Sequence, residues 1–248
     1  VYSATDPGAE AGGGAQTLRS AGVAVLGGVH EEAGRALIAP WLACTAHSPA
    51  PTPAPAAART AAAPTPGLRV TVKWAQTLDG RAAAADGTSQ WITGPEARAD
   101  VHRRRAAADA ILVGTGTLFA DDPTLTARDA RGDLLVPASE QPIPVVLGWR
   151  EIPAQARVRR HPALSAHGLT APIHYTGEDL AAHFADLAAR GVKRLFIEGG
   201  PSVASAVLAA GLADEVLVYI APALLGGPRL AIHDLDITSM SGITRLEL

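Results

Sequence analysis

The sequence predicts an α/β protein built on a mainly parallel sheet. Three observations carry that reading. Short apolar runs such as AILVG at 110–114 and KRLFIEGG at 193–200 have strand length and end in glycine. They alternate with longer stretches of helical period, such as GEDLAAHFADLAARG at 177–191. That alternation is how strand–helix–strand crossovers are written in a chain.

Composition narrows the class further. Of the 248 residues, 48% are hydrophobic and 18% charged, so a sizeable core is available. The formal net charge of -3 gives no basin for phosphate backbones, and no nucleic-acid partner is expected. A single cysteine, Cys44, permits neither an intrachain disulfide nor a thiolate zinc cage, and no metal is expected. No apolar run has transmembrane length, and the first residues lack a signal-peptide pattern, so a cytoplasmic protein without a membrane partner is expected.

The elements follow in order. Within residues 1–48, VYSATDP reads as a strand end, and GGGAQTLRSAG as a short helix closed by Gly22. VAVLGGV reads as a strand, and HEEAGRALIAPWLACTA as a helix interrupted at Pro40. These elements make a small N-terminal α/β remnant, too slight for a core of its own. Residues 49–67 are Pro/Ala-rich and read as an extended linker. The main domain occupies 68–248. LRVTVKWAQ opens it as a strand. A helix is expected over 93–108, with Thr93 as N-cap and Glu96 closing a capping box. AILVG, IPVVLG, APIHYT, KRLFIEGG and DEVLVYIAP are further strands. GEDLAAHFADLAARG, ending at Gly191, and PSVASAVLAAG are helices.

In an open parallel sheet, ligands collect at the carboxyl ends of strands. Three such ends carry chemistry. FIEGGPSVASA places Glu198, two glycines and a helix start together, a pattern that suits a phosphate or an ordinary tight turn. Glu198 is a candidate to bind hydroxyls or relay a proton. ILVGTGTLFADDPTLTAR offers Gly114, Gly116, Thr115 and Thr117, lacks the third glycine of a dinucleotide fingerprint, and continues into Asp121-Asp122-Pro123. Those aspartates read first as a capped turn, and Arg128 as a phosphate clamp or a solvated surface cation. The third end follows the strand holding Lys73, where TSQWIT sets Trp91 among polar residues as a packing group or a wall for a flat ring. The run Arg103–Arg105 reads as a helix face or an anion contact. His30-Glu31-Glu32 matches an H-x-E triplet, but no paired cysteines complete a zinc deaminase site.

The segments VKWAQTLDGRAAAADGTSQWITGPEARADVHRRRA, ILVGTGTLFADDPTLTAR and IEGGPSVASAVLAAGLADEVLVYIAPALLGG, in that order, resemble the reductase domain of the bifunctional riboflavin-biosynthesis deaminase/reductases. The likeness runs from about 68 to 232, and residues 1–48 resemble the tail of those enzymes' cytidine-deaminase-like domain without its zinc ligands. The resemblance implies a dihydrofolate-reductase-like fold: a mostly parallel central sheet flanked by helices. It implies NADPH as cofactor and 5-amino-6-(5-phosphoribosylamino)uracil as substrate, with hydride delivered to the anomeric carbon, and a homodimer. By position it puts Ala75, Trp91, Thr117, Asp121 and Gly200, Pro201, Ser202, Val203, Ala204, Ser205 and Ala206 against the cofactor. It puts Ser89, Arg105, Leu125, Arg128 and Glu198 against the substrate, the two arginines as holders of its phosphate. Lys73 and Glu198 are the first candidates for the proton path, and Asp121 the third.

Two departures from the family stand out. Where it often has Asp-Ser after the strand matched by PVVLG, this chain reads Gly148-Trp149-Arg150, and Arg150 is available to a 2′-phosphate. Beyond ITRLEL the family usually adds a closing strand, whose loss would expose a sheet edge. Two other readings stay open: a catalytically silent α/β interaction module, and an NADPH reductase of the same fold acting on another small substrate.

Overall fold

The computed structural model describes residues 14–46 and 65–247. The chain divides into two compact units, Val1–Arg59 and Thr60–Leu248. In the first, α1 (Gly14–Ser20) is closed by Gly22 at φ +78, as its sequence implies. The VAVLGGV segment is not a strand: residues 23–28 form no ladder, because no described strand of this unit offers them a partner. Helix α2 (Glu31–Ala46) is not interrupted at Pro40. Proline's fixed φ is itself helical, so one lost hydrogen bond does not end the element. VYSATDP and residues 49–64 lie outside the described residues.

The second unit holds a six-stranded sheet: β1 (Arg69–Thr77), β2 (Ala110–Gly114), β3 (Ile143–Leu147), β4 (Ile173–Tyr175), β5 (Arg194–Ile197) and β6 (Glu215–Ala221). Their spatial order is β4-β3-β2-β5-β1-β6, and every pairing is parallel. All six strands fall where the sequence places them. The connecting helices are α3 (Pro95–Ala106), α4 (Thr115–Asp121), α5 (Pro162–Ala166), α6 (Leu180–Ala189) and α7 (Pro201–Ala209). After β6 the described chain forms no further strand, and β6 is an edge.

The strands read as continuous apolar runs because both faces of the sheet are buried. Leu112, Val145, Leu195 and Ile197 face one way and pack with Phe184 and Leu187 of α6 and Val207 of α7. Ile111, Val113, Val146 and Phe196, one residue out of step, face the other way and pack with Val101 of α3 and Leu118 of α4. Period-two alternation inside each run thus feeds two cores.

Two local expectations are corrected. Helix α3 starts after Gly94, not Thr93, and no side chain caps it. Pro95 takes the first turn, where a missing N–H costs nothing. Asp121 and Asp122 do not form a capped turn: Asp121 ends α4, and Asp122, at φ 38, accepts the Arg157 amide at 2.8 Å.

Candidate active site

Strand register creates the centre of the site. β5 is shorter than β1, and its last residue, Ile197, lies opposite Val72. The next residues on each side are Lys73 and Glu198, so a cation and a carboxylate stand together where β5 stops. Lys73 Nζ is 3.7 Å from Glu198 Oε2. On α3, buried Val101 anchors one turn, and Arg105 points inward from the same face a turn later. Its Nε donates to Glu198 Oε1 at 2.5 Å and its Nη2 to Oε2 at 3.0 Å, a two-pronged clamp. Its Nη1 donates to the Thr126 carbonyl at 3.1 Å.

The Glu198 side chain is 10% exposed, that of Lys73 16%. Burial works to raise the Glu198 pKa, but the charge and hydrogen bonds of Arg105, and then the charge of Lys73, outweigh it and hold the carboxyl below its ordinary value. Burial likewise opposes the Arg105 charge, and Glu198 restores it with a net rise. Glu198 is therefore an anion here, held between Arg105 and Lys73.

These side chains open onto a cleft of about 1010 Å³ along the carboxyl ends of the strands. Of the residues assigned from sequence, Lys73, Ala75, Ser89, Arg105, Thr117, Asp121, Leu125, Glu198, Gly200, Pro201, Ser202, Val203 and Ala206 line it. Leu125 sits at φ +60, in the left-handed region, and is buried at the cleft wall. Asp121 lies at the lip, where partial desolvation raises its carboxyl above the usual range.

Four assigned residues are not on the wall. Trp91 is 70% exposed, and its ring carries the Arg98 guanidinium 4.5 Å above it. Arg128 spends its Nε on Thr126 Oγ1 at 2.7 Å and its Nη1 on the Gly132 carbonyl at 2.5 Å. Ala204 and Ser205 lie on the buried face of α7, where Ser205 Oγ accepts the His233 amide at 2.8 Å. A helix alternates its faces, so a contiguous stretch cannot line a cleft throughout. The Arg103–Arg105 run splits likewise: Arg103 and Arg104 pair with Asp100 outside, and only Arg105 turns in. The expectation that Arg105 and Arg128 hold a phosphate meets two committed side chains, one clamped on Glu198 and one turned away.

Sequence reasoning missed part of the wall. Gly148 and Thr176 line the cleft after β3 and β4, as Arg150 also does. The strand-end rule applied to those two strands finds them. Arg229 and His233 come from the segment after β6, and nothing local in the sequence marks them. Of the paired glycines, Gly199 answers to packing, since an added Cβ would meet the Val203 side chain at 2.5 Å. Gly200 faces the cleft, where a Cβ would lie 3.4 Å from Thr117 Oγ1 and narrow the gap between α4 and the start of α7.

Known proteins resemble this chain in sequence and fold. The RibD C-terminal domain family matches residues 69–248. The riboflavin biosynthesis protein RibD of Mycobacterium tuberculosis strain H37Rv is 43% identical over 247 residues, covering 99% of this chain and 64% of that protein. RibD of Corynebacterium ammoniagenes is 38% identical over 96% of this chain and 63% of its own length. The chain thus spans less than two thirds of these relatives. Among solved structures, Acinetobacter baumannii RibD superposes with a TM-score of 0.61 at 28% identity, over 98% of this chain and 66% of that one. A Thermotoga maritima diaminohydroxyphosphoribosylaminopyrimidine deaminase/5-amino-6-(5-phosphoribosylamino)uracil reductase does so at 0.55 and 25% identity, over 96% of this chain and 65% of that one. The strand order, the dihydrofolate-reductase-like sheet and the match across β1 to β6 lead to one conclusion: this chain belongs to the RibD C-terminal domain family.

Proposed function

We propose that the chain reduces 5-amino-6-(5-phosphoribosylamino)uracil to the ribitylamino product with NADPH. The observation that carries this reading is Lys73 beside the anionic Glu198, largely shielded from solvent at the wall of the cleft. The rest of the cleft fits a dinucleotide. The N-terminus of α7 presents its positive end there, and Gly200 leaves a cradle against Thr117 that a Cβ would fill. Ala75, Thr117, Asp121 and the cleft-facing residues of α7 would hold the cofactor, and Ser89 and Leu125 the substrate.

When bound, a reduced nicotinamide supplies the hydride. The protein's task is the proton. Opening the ribosyl ring breaks the C1′–O4′ bond while the exocyclic nitrogen's lone pair forms C1′=N. O4′ takes one proton, and we assign its delivery to Lys73. Hydride at C1′ returns the electron pair to nitrogen. Glu198 holds the ammonium in place and, with Arg105, keeps the charge of the site balanced as the proton leaves.

Residues 1–48 are read as the tail of a cytidine-deaminase-like domain, followed by a linker at 49–67. A second copy of the chain is the expected partner, because β6 is an edge and Ile220 on it is 58% exposed. No described helix is long and apolar enough to cross a membrane.

The test is NADPH oxidation by this chain with and without the deaminated phosphoribosylamino-pyrimidine. Oxidation that needs the substrate supports the reductase. NADPH binding without oxidation favours another substrate, and loss of both leaves the silent module.

A further inference from the structure

We propose that Tyr219 is a positioning residue for the reaction: its ring aims the Lys73 ammonium from the β6 side of the strand. The inference rests on the assignment of the proton to Lys73 and adds the group that directs it.

Glu198 alone does not aim the lysine. Its two oxygens accept from Arg105 Nε and Nη2 at 2.5 and 3.0 Å, while Lys73 Nζ stands 3.7 Å away, an attraction without a hydrogen bond. A compact charge on a flexible stem keeps many orientations under such a pull. The strand order supplies a second hold. β1 lies between β5 and β6, so Lys73 has Glu198 on one flank and β6 on the other. Lys73 is in register with Leu217, and side chains two residues apart share a face, so Tyr219 stands on the same face one step further along β6. Lys73 Nζ lies 5.6 Å from the centroid of the Tyr219 ring. The lysine side chain is only 16% exposed, and an ammonium over an aromatic face gains most where water is excluded.

The ring is itself held. Its hydroxyl donates to Asp100 Oδ2 at 2.5 Å, and Asp100 is fixed in turn by Arg103 Nη2 and Arg104 Nε, both at 2.9 Å. Burial first, and then the bond to Asp100, push the phenol up to about 12, so it keeps its proton and the ring stays neutral. Asp100 and Arg105 both belong to α3. One helix therefore fixes both neighbours of the lysine, Glu198 through Arg105 and Tyr219 through Asp100.

The experiment is a double-mutant cycle on the full chain, read as kcat, NADPH Kd and the solvent deuterium isotope effect on single-turnover reduction of the phosphoribosylamino-pyrimidine. Tyr219→Leu should lower kcat by about 3- to 30-fold and raise the isotope effect, with the NADPH Kd within about twofold. In a Lys73→Met background the same change should move kcat by less than about twofold, because the group it aims is gone. Tyr219→Phe keeps the ring and should recover most of the loss. Asp100→Ala frees the ring without altering β6 and should reproduce part of the loss, which keeps the test intact if Tyr219→Leu fails to fold. An equal loss in both backgrounds, a matching loss of NADPH affinity, or an unaltered kcat in Tyr219→Leu overturns the positioning role and leaves Lys73 as the donor. A Lys73→Met chain with unaltered kcat removes the donor and the role of Tyr219 together.

Discussion

Glu198 sits between two cations, and its charge state decides what each neighbour can do. Held anionic, it fixes Lys73 by attraction and cannot itself act as the acid. Glu198→Gln should lower kcat by about 100-fold or more while moving the NADPH Kd by less than about threefold. Stopped-flow turnover beside equilibrium titration checks this, and equal losses would remove Glu198 from the proton path. Lys73→Met should lower kcat by about 100- to 10,000-fold, with single-turnover hydride transfer slowed in step. Because the folded Glu198 pKa is depressed, the pair's contribution to stability is complete above the ordinary carboxylate pKa of about 4.3 and is lost as pH falls below it. His161 acts at a higher pH. Desolvation pushes its ring down to about 4, and its Nδ1 accepts the Ala163 amide at 3.2 Å. The unfolded chain then binds a proton the folded chain resists, so stability is full above about 6.5 and falls by up to roughly 3 kcal/mol as pH drops to 4. Urea midpoints across that window should show the fall, and His161→Asn should flatten it.

Helix ends are where sequence and structure part company. The box read at Thr93 and Glu96 does not form, because Gly94 and Pro95 start α3 by backbone conformation alone. Asp179 does cap α6, its Oδ1 accepting the Ala182 amide at 2.9 Å, and Asp179→Ala should cost about 1 kcal/mol in urea unfolding. The strands were legible because apolar runs bounded by turn residues have one reading in a sheet buried on both faces. Helix α4 was not: TGTLFAD has no cap signal, and Gly114 and Gly116 around its start mask it. At the site, Lys73, Arg105 and Glu198 could be picked out, but their union could not. It depends on the β1–β5 register and on one turn of α3, neither of which is local information. Trp91 and Arg128 stand off the cleft wall for the reverse reason. Residue type and family position nominated them, while side-chain direction, set by Arg98 and by Thr126 and Gly132, took them off the wall.

For the whole molecule, the open question is the edge of the sheet. If a second copy docks along β6, Ile220→Lys should put a charge into that seam. Light scattering should then show monomers where the unaltered chain gives dimers, and an unchanged mass would place any association elsewhere. The position of β1 has a consequence of another kind. It lies between β5 and β6, so both of its partners are made more than a hundred residues after it. While the ribosome extends the chain, Val70 and Val72 have nothing to pair with until residues 194–221 emerge. Long-range parallel pairing of this sort is slow. The lysine proposed as proton donor therefore waits on an unpaired strand until β5 and β6 are made, and a nascent chain arrested before β5 should remain protease-sensitive at β1 however long it is left to fold.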